Sequence, residues 1–200
     1  MYAYISGTLE DINDESVVID VGGVGYEIYV SQILKTHLPS EGSILKLYTH
    51  LYIREDIQQL YGFLSKSEKE MFLMLLTVNG VGPKAAMAIL SMFEVEDLKF
   101  AILSEDVKTI NKANGVGAKT AQRIIIELKD KINLEDAMEE KIAKSSVNLD
   151  ETAIAKSEAA MALTALGYSN TEALKAIGKV ENAAELSTEQ LIKAALRKMF

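Results

Sequence analysis

The sequence has no cysteine and no tryptophan among its 200 residues. Without cysteine the chain cannot form disulfide bonds or bind zinc or an iron–sulfur cluster through thiolates. The two histidines, His37 and His50, stand apart from any cluster of companion ligands. We therefore predict no metal site and no cofactor.

Long apolar runs are also missing. The longest strongly apolar stretch, "MFLMLLTV" (71–78), is far shorter than the roughly 20 residues that cross a membrane. The first dozen residues, "MYAYISGTLEDI", contain acidic side chains and no basic leader, which argues against a signal peptide. These features favour a cytoplasmic protein that does not associate with membranes.

The chain carries no excess of positive charge. Its formal net charge is -8, and residues 1–63 hold nine acidic side chains against three basic ones. Proteins that bind nucleic acids usually present a basic face. Any nucleic-acid binding by this chain must therefore depend on local geometry and not on its overall charge.

The first third of the chain is predicted to form strands. Residues 16–31, "SVVIDVGGVGYEIYVS", place β-branched and aromatic residues on both sides of a glycine cluster, which is typical of a β-hairpin. Residues 43–53 and 57–64 repeat the strand pattern, with "REDI" (54–57) as a tight connection between them. Short strands at this spacing predict a small β-barrel of the oligonucleotide/oligosaccharide-binding (OB) type over residues 1–64.

The periodicity changes to that of helices at Ser65. A Ser65-x-x-Glu68 capping box precedes an apolar run, and short helices broken at glycines are predicted to about residue 132. We assign residues 65–135 to a helical domain. Residues 136–152 are rich in charge and are predicted to be a linker.

The last part of the sequence, residues 153–200, predicts a small module of three helices. Ser187-x-x-Gln190 is predicted to cap its final helix. Four apolar residues in this part have spacings that suit a core of the module itself: Leu163, Leu166, Tyr168 and Ile177. The fold class predicted for the whole chain is therefore multidomain α+β, with an OB-like barrel followed by two helical parts.

One motif occurs twice within the helical domain. Residues 79–90, "NGVGPKAAMAIL", and 114–125, "NGVGAKTAQRII", agree at seven of twelve positions and lie 35 residues apart. In each copy a helix with an apolar stripe follows the glycines. The two stripes are Ala86, Ile89, Leu90, Phe93 and Ala121, Ile124, Ile125, Leu128.

The residue types in this motif suit a phosphate group. Glycine allows the positive φ of a tight turn and lets another surface approach the backbone closely. The helix that follows starts with unpaired N–H groups and a partial positive charge. Lys84 and Lys119 would add a full charge two residues after the second glycine, and Arg123 shares the helix face of Lys119.

The motif also allows other interpretations. A nucleotide-binding loop is rejected, because neither copy has the Gly-Lys-Ser/Thr ending. A plain helical hairpin, in which the glycines only turn the chain, explains one copy well but two copies with lysine at the same offset less well. A third Gly-Val-Gly, in residues 22–30, is followed by a strand pattern and is predicted to be a strand turn.

The doubled motif resembles the helix-hairpin-helix motif, which grips the DNA backbone regardless of base sequence. With the barrel, the "YIREDIQQLYGF" segment and the C-terminal "ALGY" segment, nearly the whole chain resembles the RuvA family of Holliday-junction branch-migration subunits. The resemblance implies tandem helix-hairpin-helix motifs in residues 65–135 and a C-terminal module like ubiquitin-associated domains. The DNA-binding positions that it implies are Asn79, Gly80, Val81, Gly82, Lys84, Asn114, Gly115, Val116, Gly117, Lys119 and Arg123. Ala118 stands where the family often has a second basic residue.

The resemblance also implies an assembly. Family members form a homotetramer through their barrels and hold a four-way junction open for recombination and repair, including the SOS response to DNA damage. Glu55 and Asp56, which the sequence alone would leave as a solvated turn tip, would form an acidic pin at the centre. The C-terminal module would bind the hexameric ATPase RuvB, and the resolvase RuvC would join the same complex.

The sequence contains no set of residues that suggests catalysis, and the chain is expected not to be an enzyme. Asp130 and Asp136 lie in Lys- and Glu-rich, helix-like sequence and not in a catalytic loop. Two alternatives remain: a helix-hairpin-helix nuclease or glycosylase, and an adaptor that binds only proteins.

Overall fold

The computed structural model describes residues 2–132, 151–168, 170–180, 183 and 186–199. They belong to two compact units, one formed by residues 1–95 with 113–116 and the other by residues 96–112 with 117–200. No helix in these described ranges is long and apolar enough to cross a membrane.

The first unit contains a closed barrel of five strands. Its strands are β1 (Tyr4–Ile12), β2 (Ser16–Asp20), β3 (Gly25–Tyr29), β4 (Ile44–Ile53) and β5 (Gln58–Phe63). They follow one another around the barrel in the order β1-β2-β3-β5-β4, and the parallel β3–β5 pairing at Tyr29 and Tyr61 closes it. The predicted small barrel is thus confirmed, including the hairpin over residues 16–31.

The barrel is filled by the apolar residues that alternate along its strands. Leu9, Ile19, Ile28 and Leu47 are completely buried at its centre. Burying side chains of this size stabilises a fold by about 1.5–3 kcal/mol each, before the entropy cost of ordering the chain is subtracted. The alternation of apolar and polar residues therefore fixes which face of each strand points inward.

A short helix, α1 (Gln32–Thr36), follows β3, and helix α2 (Lys66–Leu76) follows the barrel. The Ser65 cap predicted for α2 is present, although the Glu68 carboxylate accepts the N–H of Leu64 and not that of Ser65. The Glu68 N–H donates to Ser65 Oγ at 3.1 Å, and the Leu64 N–H donates to Glu68 Oε2 at 3.1 Å. The start of α2 was therefore readable from local sequence.

Helix α2 packs on the barrel through an aromatic cluster. The ring of Phe72 lies 5.1 Å from that of Tyr61 and 5.0 Å from that of Phe63. The Tyr61 hydroxyl donates to Gln59 Oε1 at 2.9 Å. Burial, reinforced by Tyr29 and other nearby groups, raises the pKa of Tyr61 to about 12. This cluster holds α2 against the barrel, and α2 leads directly into the first glycine motif.

The short helices predicted after α2 are also present. They are α3 (Pro83–Leu90), α4 (Val95–Leu103), α5 (Val107–Ile110) and α6 (Ala118–Leu128), followed by a 3₁₀ turn (Lys129–Lys131). The predicted stripes of α3 and α6 are buried, while Phe93, beyond the end of α3, is only half-buried. Each glycine motif is therefore followed by a helix that is held by its apolar face.

Three helices follow in the remaining described residues: α7 (Glu151–Ala165), α8 (Asn170–Gly178) and α9 (Thr188–Met199). Leu163 and Ile177 are buried as predicted, but Leu166 is 64% exposed because it lies in the turn after α7. The predicted cap of α9 is confirmed, since the Ser187 N–H donates to Gln190 Oε1 at 3.1 Å.

The end of the linker predicted at residues 136–152 overlaps the start of helix α7. Residues 136–150, including Asp136, lie outside the described residues. Helix α7 begins at Glu151, so the last two residues of the predicted linker are helical.

Candidate nucleic-acid interface

The two copies of the glycine motif have the same local conformation. The first glycine of each copy is left-handed, with φ of 90° at Gly80 and 77° at Gly115. The second glycine is extended and is the N-cap of the next helix, with φ of -95° at Gly82 and -79° at Gly117. A side chain at the first glycine would be strained, whereas the second conformation suits any residue.

The valine between the two glycines anchors each turn. Val81 and Val116 are 6% and 4% exposed. Their N–H groups donate back along the chain, from Val81 to the Val78 carbonyl at 3.0 Å and from Val116 to the Ala113 carbonyl at 3.1 Å. Both valines were predicted as DNA-binding positions, but their side chains and amides are already engaged within the turn. Both valines therefore hold the turn in shape, and their part in DNA binding stays a prediction.

The second glycine of each copy faces open space. A Cβ atom added at Gly82 or Gly117 would meet no atom within 4 Å. No neighbouring group in the protein therefore requires glycine at these two positions, and neither does the backbone angle. The open surface does allow a ligand to reach the backbone closely.

The first turn of each following helix is available to an anion. Helix N-termini carry N–H groups that have no partner within the helix, together with a partial positive charge. A glycine N-cap has no side chain that could accept those N–H groups. Pro83 removes one such donor at the start of α3, while Ala118 keeps its own at the start of α6. The second copy therefore offers one more backbone donor than the first.

The polar residues predicted for this site are all at the surface. Asn79 and Lys84 are exposed in the first copy, and Asn114, Lys119 and Arg123 are exposed in the second. These side chains can supply positive charge and hydrogen-bond donors beside the helix starts. Each copy thus combines a helix start with a small number of exposed cations, and such groups can bind an anion.

The short helix α5, which precedes the second glycine motif, is capped at its start by Asp106. The Thr109 N–H donates to Asp106 Oδ1 at 3.0 Å, and the Thr109 hydroxyl donates to Asp106 Oδ2 at 2.6 Å. Burial alone would raise the pKa of Asp106, but these hydrogen bonds outweigh it and lower the pKa below the ordinary value. Asp106 is therefore a structural cap of α5.

The "REDI" segment forms the predicted tight turn between β4 and β5. The Arg54 N–H donates to the Ile57 carbonyl at 2.8 Å, and the Arg54 guanidinium lies 5.4 Å from the centre of the Tyr52 ring. Glu55 and Asp56 are exposed at the tip of the turn. Two adjacent carboxylates thus project from one end of the barrel.

From the sequence, both glycines of each motif were expected to allow a positive φ and a close approach to the backbone. In the structure the first glycine has the positive φ, and the second has the open backbone. The letters "GVG" do not show which glycine has a positive φ, because that depends on where the turn begins. In the described ranges, no group of three histidine, aspartate or glutamate side chains is placed to hold a metal ion.

The barrel and the repeated turn define a class of protein in which an OB-like β-barrel precedes a tandem helix-hairpin-helix domain. Family models agree in three successive parts of the chain. The RuvA N terminal domain matches residues 1–62, the SAM-like Helix-hairpin-helix tandem matches 72–130, and the RuvA, C-terminal domain matches 155–199. The chain belongs to the RuvA family.

Whole-length relatives support the assignment. A protein of Lachnospira eligens is 41% identical over 204 residues, covering 100% of this chain and 99% of its own. One from Ruminiclostridium cellulolyticum is 42% identical with 100% of both chains covered, and one from Clostridium botulinum (strain Langeland) is 46% identical with 98% of both covered. Each is named Holliday junction branch migration complex subunit RuvA.

Proposed function

We propose that this chain binds four-way DNA junctions without regard to base sequence and serves as the junction-binding subunit of a branch migration complex in recombination and repair. The observation that carries the proposal is the open backbone at Gly82 and Gly117, repeated in two copies with the same turn. The names of the full-length relatives agree with it.

The proposed contact is between backbone amides and phosphate. A DNA phosphate can approach each helix start because no side chain blocks the second glycine. Lys84 and Lys119 stand next to these amides and neutralise the phosphate charge, with Arg123 as a further cation in the second copy. Contacts of this kind position DNA without reading its bases, which suits a protein that recognises a junction by its shape.

The acidic turn gives the proposal its structural specificity. In a homotetramer built through the barrels, Glu55 and Asp56 of each chain would lie near the centre of the junction. Carboxylates at that place repel the phosphates of a continuous duplex and tolerate the separated strands of a crossover. The net charge of -8 is then compatible with DNA binding, because attraction and repulsion act at different places.

Partners complete the proposed function. The helices α7 to α9 would bind the hexameric ATPase RuvB, which would supply ATP hydrolysis, and RuvC would act in the same complex. The chain itself would be a non-enzymatic cytoplasmic subunit. The alternative of a helix-hairpin-helix nuclease or glycosylase is not favoured, because the full-length relatives are named as branch migration subunits.

Binding to two DNA shapes tests this proposal. We expect a gel shift at fixed salt to show much tighter binding to a four-way junction than to a linear duplex of the same length. The double variant Glu55→Lys with Asp56→Lys should bind linear duplex more tightly than the original chain. Equal affinity of the original chain for both DNAs would overturn the proposal.

The two motif lysines can be tested through the salt dependence of binding. For each DNA phosphate that a variant no longer neutralises, the negative slope of log K against log salt should become less steep by about 0.9. We expect Lys84→Gln and Lys119→Gln to make this slope less steep, whereas Lys198→Gln, which removes an exposed lysine of α9, should leave it unchanged. A slope that is the same in all variants would remove both lysines from the interface.

A further inference from the structure

Glu105 adopts a backbone conformation that its side chain does not favour. It follows α4 with φ of 57°, the only positive φ outside glycine among the described residues. Its N–H donates to the Ile102 carbonyl at 3.1 Å, and the next N–H, of Asp106, donates to the Ala101 carbonyl at 2.9 Å. This is the usual way to end a helix, but glycine or asparagine commonly holds such a position. Glutamate is therefore an unusual residue for this position.

The carboxylate of Glu105 binds two lysines that come from distant parts of the chain. Lys129 Nζ lies 2.7 Å from Oε1, and Lys175 Nζ donates to Oε2. Lys129 follows the end of α6, whereas Lys175 lies in α8, the second of the three C-terminal helices. The hydrogen bonds from Lys129 and then Lys175 lower the pKa of Glu105 to about 2, so the carboxylate is charged at neutral pH.

All three side chains belong to the same compact unit, but Lys175 reaches Glu105 from another group of helices. Helices α7, α8 and α9 pack chiefly against one another, and α6 packs against α5 and the turn that follows it. The ion pair between Lys175 and Glu105, 70 residues apart in sequence, therefore links two groups of helices. Each group packs mainly within itself.

We infer that Glu105 is a docking point at which Lys175 holds the C-terminal helices α7, α8 and α9 against residues 96–112 and 117–132 in a reversible ionic latch. The side chains of Glu105, Lys129 and Lys175 are 35%, 33% and 44% exposed. Ion pairs with this much access to water are weak, typically about 0–1 kcal/mol. The latch therefore favours one position of the C-terminal helices without locking them there.

The latch goes beyond the proposed function, because it concerns the chain without DNA or a motor. It determines how often the C-terminal helices are free to engage a partner. Lys129 stays on Glu105 when the latch opens, because it belongs to the same group of helices as Glu105. The carboxylate thus keeps one counter-charge in the open state, which lowers the cost of opening.

The absence of cysteine makes the latch directly measurable. Donor and acceptor dyes can be attached to Lys108→Cys on α5 and Lys198→Cys on α9, both of which are exposed. Labelled chains are mixed with a large excess of unlabelled chains, so that each assembly contains at most one dye pair. Single-molecule energy transfer then gives the ratio of docked to released chains, in the absence of DNA.

We expect Glu105→Gln and Lys175→Gln each to lower the docked-to-released ratio by roughly 2- to 5-fold at 0.05 M salt. Lys179→Gln, which removes an exposed lysine just after α8, should leave the ratio unchanged. Raising the salt to 0.5 M should lower the ratio of the original chain and have little effect on the Glu105→Gln variant.

Two further variants separate the latch from a general loss of structure. Glu105→Gly suits the positive φ, so it should open the latch without lowering the melting temperature. Exchanging the charges, Glu105→Lys with Lys175→Glu, again places two lysines beside one carboxylate and should restore the docked ratio. A ratio that does not change in Glu105→Gln, or that falls equally in Lys179→Gln, would overturn the latch whatever the DNA-binding results.

Discussion

The second glycine of each motif provides the sharpest test of the site, because its replacement should affect DNA binding and stability differently. The informative variants are Gly82→Ser and Gly117→Ser, alone and together. Both glycines are extended N-caps, and an added Cβ would meet no atom within 4 Å. Serine fits this conformation without strain.

The expected effect on folding is small and favourable. Serine is a better N-cap than glycine by a few tenths of a kcal/mol, because its Oγ accepts an N–H of the first helical turn. We therefore expect the free energy of unfolding to stay the same or to rise by about 0.3 kcal/mol for each site. Gly82→Ser should also tolerate the following Pro83, since an extended residue is favoured before proline.

The expected effect on DNA binding is large and unfavourable. The serine side chain occupies the space through which a phosphate would approach, and its Oγ takes an N–H that the phosphate would otherwise bind. Hydrogen bonds to charged groups contribute about 1.5–3 kcal/mol. Each replacement should therefore weaken binding to a four-way junction by roughly 10- to 100-fold.

Fluorescence anisotropy with a labelled junction at fixed salt measures the affinity, and thermal unfolding followed by circular dichroism measures stability on the same samples. Gly178→Ser is the matched control, because Gly178 also faces open space but lies at the end of α8. Gly115→Ala provides the contrast, since its φ of 77° should cost an alanine about 1–2 kcal/mol of stability.

Two results would refute the reasoning about these glycines. Unchanged junction affinity in the Gly82→Ser, Gly117→Ser double variant would mean that no phosphate approaches there. A loss of stability of more than about 1 kcal/mol in either single variant would mean that the fold itself requires the glycine.

Three further predictions concern the fold. A Cβ added at Gly62 would lie 2.5 Å from Ile28 Cγ2, so Gly62→Ala should cost about 1–3 kcal/mol in urea unfolding, and an unchanged midpoint would contradict this. Because the pKa of Tyr61 is raised to about 12, the stability it contributes is complete below pH 10 and is lost as the pH rises through 12. Tyr61→Phe should therefore lose less stability than the original chain between pH 9 and about 11.5; an equal loss would contradict this. The stability that the charged Glu105 contributes is present above pH 4.5 and is lost as the pH falls through about 2. In urea unfolding, the original chain should therefore be more stable than Glu105→Gln at neutral pH, and this difference should shrink as the pH is lowered. A difference that stays constant would contradict this.

Much of the fold was predictable because its signals are local. The helix caps at Ser65 and Ser187 depend on only a few consecutive residues each, and both are formed. The strand alternation and the apolar stripes of α3 and α6 depend on the fixed periods of strands and helices. The 35-residue repeat pointed to the site directly, because two copies of one turn impose the same geometry on the same residue types.

Other features lay beyond sequence reasoning because they depend on contacts between distant residues. The predicted core position Leu166 proved to be exposed, since the chain turns just before it. Val81 and Val116 sit inside a motif that otherwise faces solvent, and only packing shows that they point inward.

By itself, the sequence determined the order of barrel, doubled glycine motif and C-terminal helices, because turn residues, caps and periodicity act over a few positions. Only the tertiary structure decided which glycine of each motif turns the chain and which leaves its backbone open. It also brought Lys129 and Lys175 to Glu105 across 24 and 70 residues of sequence. Such pairings depend on how packed helices meet, and no local pattern of residues specifies that.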